Sequence, residues 1–107
     1  KLTFVLQPMS FWARDRLTPD EADIFHAIDS CPNNFWRLFS KILGKEIHKP
    51  FSNSIRTFCQ AQGIGFADMN DLLKDSSALN DYLFVDRVHF NDKGYDEAAN
   101  AIARHAL

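Results

Sequence analysis

Two short apolar runs constrain the fold of this 107-residue chain more than any other feature. Residues 2–6 (LTFVL) and residues 64–68 (IGFAD) are dominated by aliphatic and aromatic side chains, which is typical of strands buried on both faces of a parallel sheet. Helical segments separate the runs, so the sequence predicts an α/β architecture with a right-handed crossover between parallel strands. Two strands make no independently stable sheet, and the pattern therefore predicts further strands outside residues 1–107.

The remaining segments carry helical signals. Thr18 is suited to cap a helix, Pro19 suits its first position, and Glu21 completes a capping box. Gly63 suits the left-handed backbone conformation that commonly ends an α-helix. Apolar periodicity predicts three more helices, over residues 35–43, about 51–62 and 92–106. The polar segment 69–80 is expected to form a short helix and a loop. The apolar positions that share one face in each of the three helices are Phe35, Leu38, Phe39, Ile42 and Leu43, then Phe51, Ile55, Phe58 and Cys59, and finally Tyr95, Ala98, Ala99, Ile102, Ala103 and Ala106. Cys59 is expected to be a buried thiol.

Composition agrees with one folded domain, or part of one, and narrows the possible partners. Apolar residues make up 46% and charged residues 24% of the chain, which argues against disorder. The net charge of −2 comes from intermixed acids and bases, so no basic surface for nucleic acid is predicted. No apolar run approaches the length of a transmembrane helix. Cys31 and Cys59 are too few for a disulfide framework or zinc site, and they suit a reducing compartment such as the cytoplasm.

The residues with the clearest chemical potential lie near the C-terminus. Asp86 and His89 are three positions apart, between a brief extended piece and the start of the last helix. Histidine exchanges a proton near neutrality. An acid on one ring nitrogen fixes the tautomer and leaves the other nitrogen free to take a proton. The other histidines, His26, His48 and His105, have no acid at a useful spacing and are expected to be solvated or on helix faces.

This stretch, together with Gly94 and Tyr95, resembles the last sequence block of the SGNH/GDSL hydrolases, serine esterases in which Asp-x-x-His supplies two members of a catalytic triad. Residues 62–68 resemble the last core strand of that family with the helix end before it, and residues 2–8 resemble the preceding strand. The resemblance implies a flavodoxin-like three-layer α/β/α sandwich with a central parallel sheet. Residues 1–107 are then the C-terminal portion of one such domain, without a metal or organic cofactor.

By this resemblance, Asp86 orients the imidazole and His89 is the general base in hydrolysis of an ester, such as a carbohydrate O-acyl ester. Nothing in the chain resembles the Gly-Asp-Ser nucleophile block of the family. The serine and its oxyanion donors are therefore expected in a segment before Lys1 or in a second chain. Ser10 is the one serine placed in a loop just after a predicted strand, but the sequence shows neither an activating base nor an oxyanion hole for it.

A substrate pocket is predicted at the carboxyl ends of the strands, where open α/β sheets bind ligands. Residues 8–17 leave the first strand at that edge, as a long loop. Met9, Phe11 and Trp12 are therefore candidates for lining the pocket, where an aromatic ring could stack on a sugar or hold an acyl group. The alternative is that Phe11 and Trp12 cover core helices.

Two other functions stay open from the sequence. The chain could be a non-catalytic hydrolase-like module or fragment that binds carbohydrate or protein. It could also bind a divalent ion, since carboxylates and one imidazole are suitable ligands; the residues concerned are Asp86, His89, Asp92 and Asp96.

Overall fold

A computed structural model of the chain describes residues 1–105, apart from the side chain of Phe35. Two strands, β1 (Thr3–Leu6) and β2 (Gly65–Asp68), pair in parallel, with Thr3 opposite Gly65 and Leu6 opposite Asp68. The predicted pair of parallel strands is confirmed. The expected places of the Phe35 side chain and of Ala106 on apolar helix faces lie outside the described residues.

Six helices accompany the sheet in the described part of the chain, which is therefore a mixed α/β domain. None of the helices within residues 1–105 is both long enough and apolar enough to cross a membrane. The helices are α1 (Ser10–Ala13), α2 (Pro19–Asp29), α3 (Phe35–Phe39), α4 (Lys45–Ala61), α5 (Met69–Lys74) and α6 (Asp92–His105).

Local sequence signals explain where several helices begin or end. The Thr18 side chain accepts a hydrogen bond from the backbone N–H of Glu21, and the Glu21 carboxylate accepts one from the backbone N–H of Thr18. The predicted capping box of α2 is thus confirmed. Gly63, just after α4, has a φ of 66°, as expected of a left-handed stop. Asn91 caps α6 by accepting a hydrogen bond from the N–H of Gly94 at 2.9 Å.

Three element boundaries differ from the predictions. Residues 10–13 form the short helix α1 inside the segment expected to be a loop, and α3 ends at Phe39, well before Gly44. Helix α4 begins at Lys45, so Pro50 lies inside it. Proline lacks a backbone N–H and usually marks a helix boundary. In α4 the tertiary contacts of the first turns outweigh this local preference.

The core lies between α2, α5, α6 and the segment before α6. The buried apolar residues that form it include Phe25, Met69, Leu73, Leu83, Phe84, Phe90 and Ala101. Ala98 and Ile102 pack against it, as predicted for α6. Tyr95, Ala99 and Ala103 are exposed, however, and Ala101 takes the buried position. The buried face of α6 is therefore rotated relative to the predicted one.

Helix α4 buries a different face from the one predicted. Cys59 is 2% exposed, which confirms it as a buried thiol, but Phe51 and Phe58 are 46% and 62% exposed. The other two buried side chains of the helix are polar, those of His48 and Ser52. An open apolar groove of about 520 Å³ is left between α4 and β1, and we call it the α4 groove.

Candidate acid–base site

Asp86 and His89 form a hydrogen-bonded pair in the loop that precedes α6. The ring Nδ1 of His89 lies 2.8 Å from Oδ2 and 3.0 Å from Oδ1 of Asp86. Asp86 Oδ1 also accepts the backbone N–H groups of Val88 and His89, both at 2.8 Å. A single antiparallel bridge between Phe84 and Phe90 closes the loop. The structure thus brings together the two residues that the sequence singled out, in a tightly bonded loop.

The hydrogen bonds around Asp86 also set its charge. Partial burial acts to raise the pKa of Asp86, but the bonds from Val88 and His89 and the nearby imidazole together hold that pKa below its ordinary value. The carboxylate is therefore ionised at neutral pH and can only accept. Nδ1 of His89 must then carry the proton, which leaves Nε2 as the basic nitrogen. The His89 side chain is 61% exposed, so a reactant can reach it.

Contacts from the end of β1 place this loop at the carboxyl edge of the sheet. The backbone N–H of Ser10 donates to the carbonyl of Arg87 at 2.9 Å. The side-chain amide of Gln7, the residue after β1, donates to the carbonyl of Val88 at 3.2 Å. Ligands of open α/β sheets bind at this edge, so the acid–base pair lies where the topology predicts a site.

Arg87 ties the middle of the loop to α2 and α3. Its guanidinium carbon lies 4.8 Å from the ring centre of Phe25 and 4.6 Å from that of Trp36. Its Nη2 donates to Asp29 at 2.5 Å. Cation–π contacts and a charge-assisted hydrogen bond restrict the loop more than neutral contacts do. Sequence reasoning missed Arg87 and Asp29, because 58 residues separate them and no local pattern links them.

A buried ion pair shapes the segment that leads into the loop. Glu21 accepts Nη2 of Arg14 at 3.0 Å and the backbone N–H groups of Leu83 and Phe84 at 3.0 and 3.2 Å. Arg14 also donates to two backbone carbonyl groups within residues 79–81. The side chains of Arg14 and Glu21 are 3% and 0% exposed. This network anchors the chain between α5 and the loop to the start of α2.

A second carboxylate–imidazole pair lies at the end of β2. Nε2 of His48 lies 2.7 Å from Oδ2 of Asp68, and Ser52 donates to the same oxygen at 2.6 Å. His48 was expected to be solvated or on a helix face. It lies on α4, but on its buried side and 3% exposed, because α4 begins earlier than expected, so only the solvated alternative is wrong. Asn70 donates two bonds to Oδ1, both at 2.9 Å. Burial alone would raise the pKa of Asp68. The hydrogen bonds from Ser52, Asn70 and His48 have the larger, opposite effect, so the pKa lies below its ordinary value.

This buried cluster does not have the arrangement of a catalytic triad. In a triad the histidine lies between the acid and the nucleophile, whereas Ser52 and His48 both bind Oδ2 of Asp68. The ring of Trp12 stacks on His48 at 5.1 Å and covers it. We interpret the cluster as a structural network that satisfies a buried carboxylate.

The candidate pocket residues that follow β1 are mostly inside the protein. Phe11 and Trp12 are 8% and 2% exposed, and Phe11 packs on Trp36 with ring centres 4.4 Å apart. Met9 is half-buried, and its backbone N–H donates to Asn70. A direct contact between these side chains and a ligand stays a prediction. Their burial favours the alternative in which Phe11 and Trp12 cover core helices.

Neither of the minor chemical alternatives is assembled in the structure. Ser10 is fully buried, and its Oγ has no hydrogen-bond partner within the described chain, so no base activates it. Among the described residues, His48, Asp68 and Asp71 are the one group of three potential ligands with atoms within 4.8 Å of one another. The residues that the sequence suggested for a divalent ion, which are Asp86, His89, Asp92 and Asp96, do not form such a group among the described residues. Asp92 and Asp96 are exposed on the first turns of α6.

Two cavities flank His89. One, of about 310 Å³, lies between the loop and helices α2 and α3, with Ile28 and Trp36 in its wall. We call it the loop cavity. The other, of about 470 Å³, lies between β1 and α6, with Val5 and Ile102 in its wall. His89 therefore stands between two spaces that a substrate could enter.

None of the known protein-family models matches the chain, and no curated protein gives a significant match. A functional conclusion therefore rests on the sequence pattern and on the geometry of the site.

Proposed function

We propose that the chain is the acid–base part of a serine esterase similar to the SGNH/GDSL hydrolases. The observation that carries this proposal is the Asp86–His89 pair at the carboxyl edge of the sheet. An ionised carboxylate holds Nδ1, the ring is accessible, and no residue of the described chain hydrogen-bonds Nε2. This is the arrangement that a general base requires.

The reaction follows from the charges of the pair. A serine supplied outside residues 1–107 attacks the ester carbonyl, and Nε2 of His89 removes the proton from the serine hydroxyl oxygen during this attack. Asp86 stabilises the resulting imidazolium, which donates the proton to the oxygen of the leaving alcohol. His89 then takes a proton from a water molecule whose oxygen attacks the carbonyl of the acyl–serine. As the bond between the carbonyl carbon and the serine oxygen breaks, the imidazolium returns the proton to that oxygen, which releases the acid and restores both the serine and the neutral His89.

The same proposal accounts for the unfinished sheet. We propose that residues 1–107 form the C-terminal portion of a three-layer α/β/α sandwich. Strand β1 pairs with β2, yet Leu2 and Phe4 at this strand are 67% and 44% exposed. Strands of a parallel sheet are normally covered on both faces. A preceding segment or a second chain that adds a strand beside β1 and packs on this face would cover these side chains and bring the serine and oxyanion donors to the same edge.

A covalent serine probe tests the proposal on the longer polypeptide, or the complex, that contains these residues. A fluorophosphonate should add one probe mass to a serine outside residues 1–107. His89→Asn should slow labelling and reduce kcat by about 10³ or more, with KM little changed. The matched control is His26→Asn, since His26 is exposed on α2. Full activity of His89→Asn would refute the assignment.

A non-catalytic hydrolase-like module is the second candidate. It is favoured by the α4 groove, because exposed apolar surface of this kind commonly binds protein. Phe51 and Phe58 are the exposed rings there. Absence of probe labelling in the natural polypeptide and its complexes, together with a tight protein partner lost in Phe58→Ser, would support this candidate over the esterase.

A further inference from the structure

The loop cavity has walls of known chemistry beside His89. Ile28 from α2, Trp36 from α3 and Val88 from the loop supply apolar surface. His89 itself lies in the wall, so a group held in the cavity is next to the side chain proposed as the general base. The α4 groove is larger, but neither Asp86 nor His89 lines it.

The polar residues in the wall of the loop cavity are already engaged inside the protein. Asn34 accepts the backbone N–H of Trp36 at 2.7 Å and donates to the carbonyl of Ile28 at 3.0 Å. Arg87 donates through Nη2 to Asp29, and its Nε, which has no partner among the described residues, is inaccessible to solvent. Polar side chains that satisfy one another offer few groups to a ligand. The cavity therefore favours an apolar group over one that needs several hydrogen bonds.

The ring of Trp36 is also largely occupied. The Arg87 guanidinium lies over it at 4.6 Å, and the Phe11 ring centre is 4.4 Å from its own. Stacking of a sugar needs a free aromatic face, and these two contacts leave little of one. An aliphatic chain needs only contact with apolar walls.

We propose that the loop cavity binds an unbranched aliphatic chain of about four to eight carbons that belongs to the ester substrate. The chain length is estimated from the cavity volume, with about 30 Å³ for each water-sized group. The cavity volume of about 310 Å³ holds a chain of this length with room at the open side. This inference rests on the proposed function, because it takes His89 as the base that acts on the ester. Either the acyl group or the alcohol could carry the chain, and both share the same binding chemistry.

Binding to an inactivated protein tests the site without turnover. In the His89→Asn variant of the natural polypeptide, NMR titration compares methyl octanoate, octyl acetate and methyl acetate. We expect at least one octyl ester to bind at least tenfold more tightly than methyl acetate, because each buried methylene adds several-fold in affinity. The tighter of the two octyl esters identifies the acyl or the alcohol side.

Two matched substitutions locate the chain. Ile28→Trp should fill the loop cavity and weaken octyl ester binding at least tenfold, whereas Ile55→Trp, in the wall of the α4 groove, should not. Both isoleucines are half-buried helix residues. Ile28→Ala, which enlarges the cavity, should shift the preferred chain upward by about two carbons, and it serves as the test if Ile28→Trp does not fold.

The outcomes separate the two proposals. Loss of octyl binding in Ile55→Trp but not in Ile28→Trp would overturn the inference, and so would equal binding of octyl and methyl esters. Octyl binding that depends on Ile28, in a protein that no fluorophosphonate labels, would support the aliphatic site and refute the esterase. A protein that the probe labels and that is active, but that shows no chain-length preference, would support the esterase and refute the aliphatic site.

Discussion

Arg87 donates a 2.5 Å hydrogen bond to Asp29, and this contact joins the loop of the acid–base pair to the last turn of α2. Arg87 lies between Asp86 and His89 in sequence, so any movement of its backbone moves both. The aromatic rings of Phe25 and Trp36 hold the guanidinium near the carboxylate. The position of His89 therefore depends on a helix that begins about seventy residues earlier in the chain, at Pro19.

Replacing Asp29 tests this positioning role. Asp29→Asn weakens a charge-assisted bond and leaves the Arg87 charge partly uncompensated, which should lower the free energy of unfolding by about 1.5–3 kcal/mol. In an active assembly we expect kcat to fall about tenfold with a smaller change in KM, because the apolar walls from α2 and α3 stay in place. Shifted ring signals of His89 by NMR would show the displacement itself. Asp23→Asn, on an exposed part of α2, is the control and should change neither quantity.

Because the Arg14–Glu21 ion pair is buried, replacing one of its partners should cause a large loss of stability. Glu21→Gln removes the charge that balances Arg14 and weakens the bonds to Leu83 and Phe84. Breaking one partner of a buried ion pair typically costs about 3–5 kcal/mol, and urea unfolding measures it. Asp20→Asn, an exposed neighbour in the same helical turn, should cost far less. A loss in Glu21→Gln no greater than in the control would mean that the pair contributes little.

The lowered pKa of Asp68 predicts how the free energy of unfolding changes with pH. This pKa is lowered in the folded state by the bonds from Ser52, Asn70 and His48, which outweigh burial. A group with a lowered folded pKa stabilises the protein above its unfolded pKa, and that contribution is lost as the pH falls through the folded value. The stability difference between wild type and Asp68→Asn should thus be constant near neutrality and shrink below about pH 3.8. Urea unfolding from pH 2.5 to 7 measures it, with the exposed Asp75→Asn as control.

A stability difference that stays constant down to pH 2.5 would contradict a lowered pKa for Asp68. A difference that grows on acidification would give the opposite sign, as expected if burial dominated the hydrogen bonds. Both results are distinguishable from the predicted decrease.

Local signals carried most of what the sequence could predict. The apolar runs fixed the two parallel strands, the capping box fixed the start of α2, and three-residue spacing was enough to pair Asp86 with His89. Long-range contacts carried the rest. His48 and Asp68 are 20 residues apart, and their pairing depends on α4 starting before Pro50. Because Pro50 usually marks a helix boundary, the helix was predicted to begin after it and did not include His48. The buried His48–Asp68 pair was therefore not predicted.

The Arg87–Asp29 contact was hidden for a similar reason. Nothing in either local sequence distinguishes these residues from solvated charges, and only the packing of the loop on α2 and α3 brings them together. The rotated face of α6 shows the same limit, since alanines on neighbouring positions give an apolar pattern that fits more than one orientation.

Gly94 leads to the last prediction, because the start of α6 lies directly against the chain that carries the acid–base pair. A Cβ at this position would lie 2.6 Å from the carbonyl oxygen of Leu83 and 2.7 Å from Cβ of Phe90. Both neighbours bracket the Asp86–His89 loop, and a backbone carbonyl cannot rotate away as a side chain does. Gly94→Ala must therefore displace either α6 or the loop, at about 1–3 kcal/mol of stability, as overpacking typically costs.

The matched control is Gly63→Ala, where the φ of 66° gives backbone strain but nothing lies within 4 Å of the added methyl. Both variants should lose stability in urea unfolding. Only Gly94→Ala should also shift the backbone NMR signals of residues 84–90 and reduce kcat in an active assembly. Unchanged signals in Gly94→Ala would show that α6 moves alone. The glycine would then matter for helix packing without influencing His89.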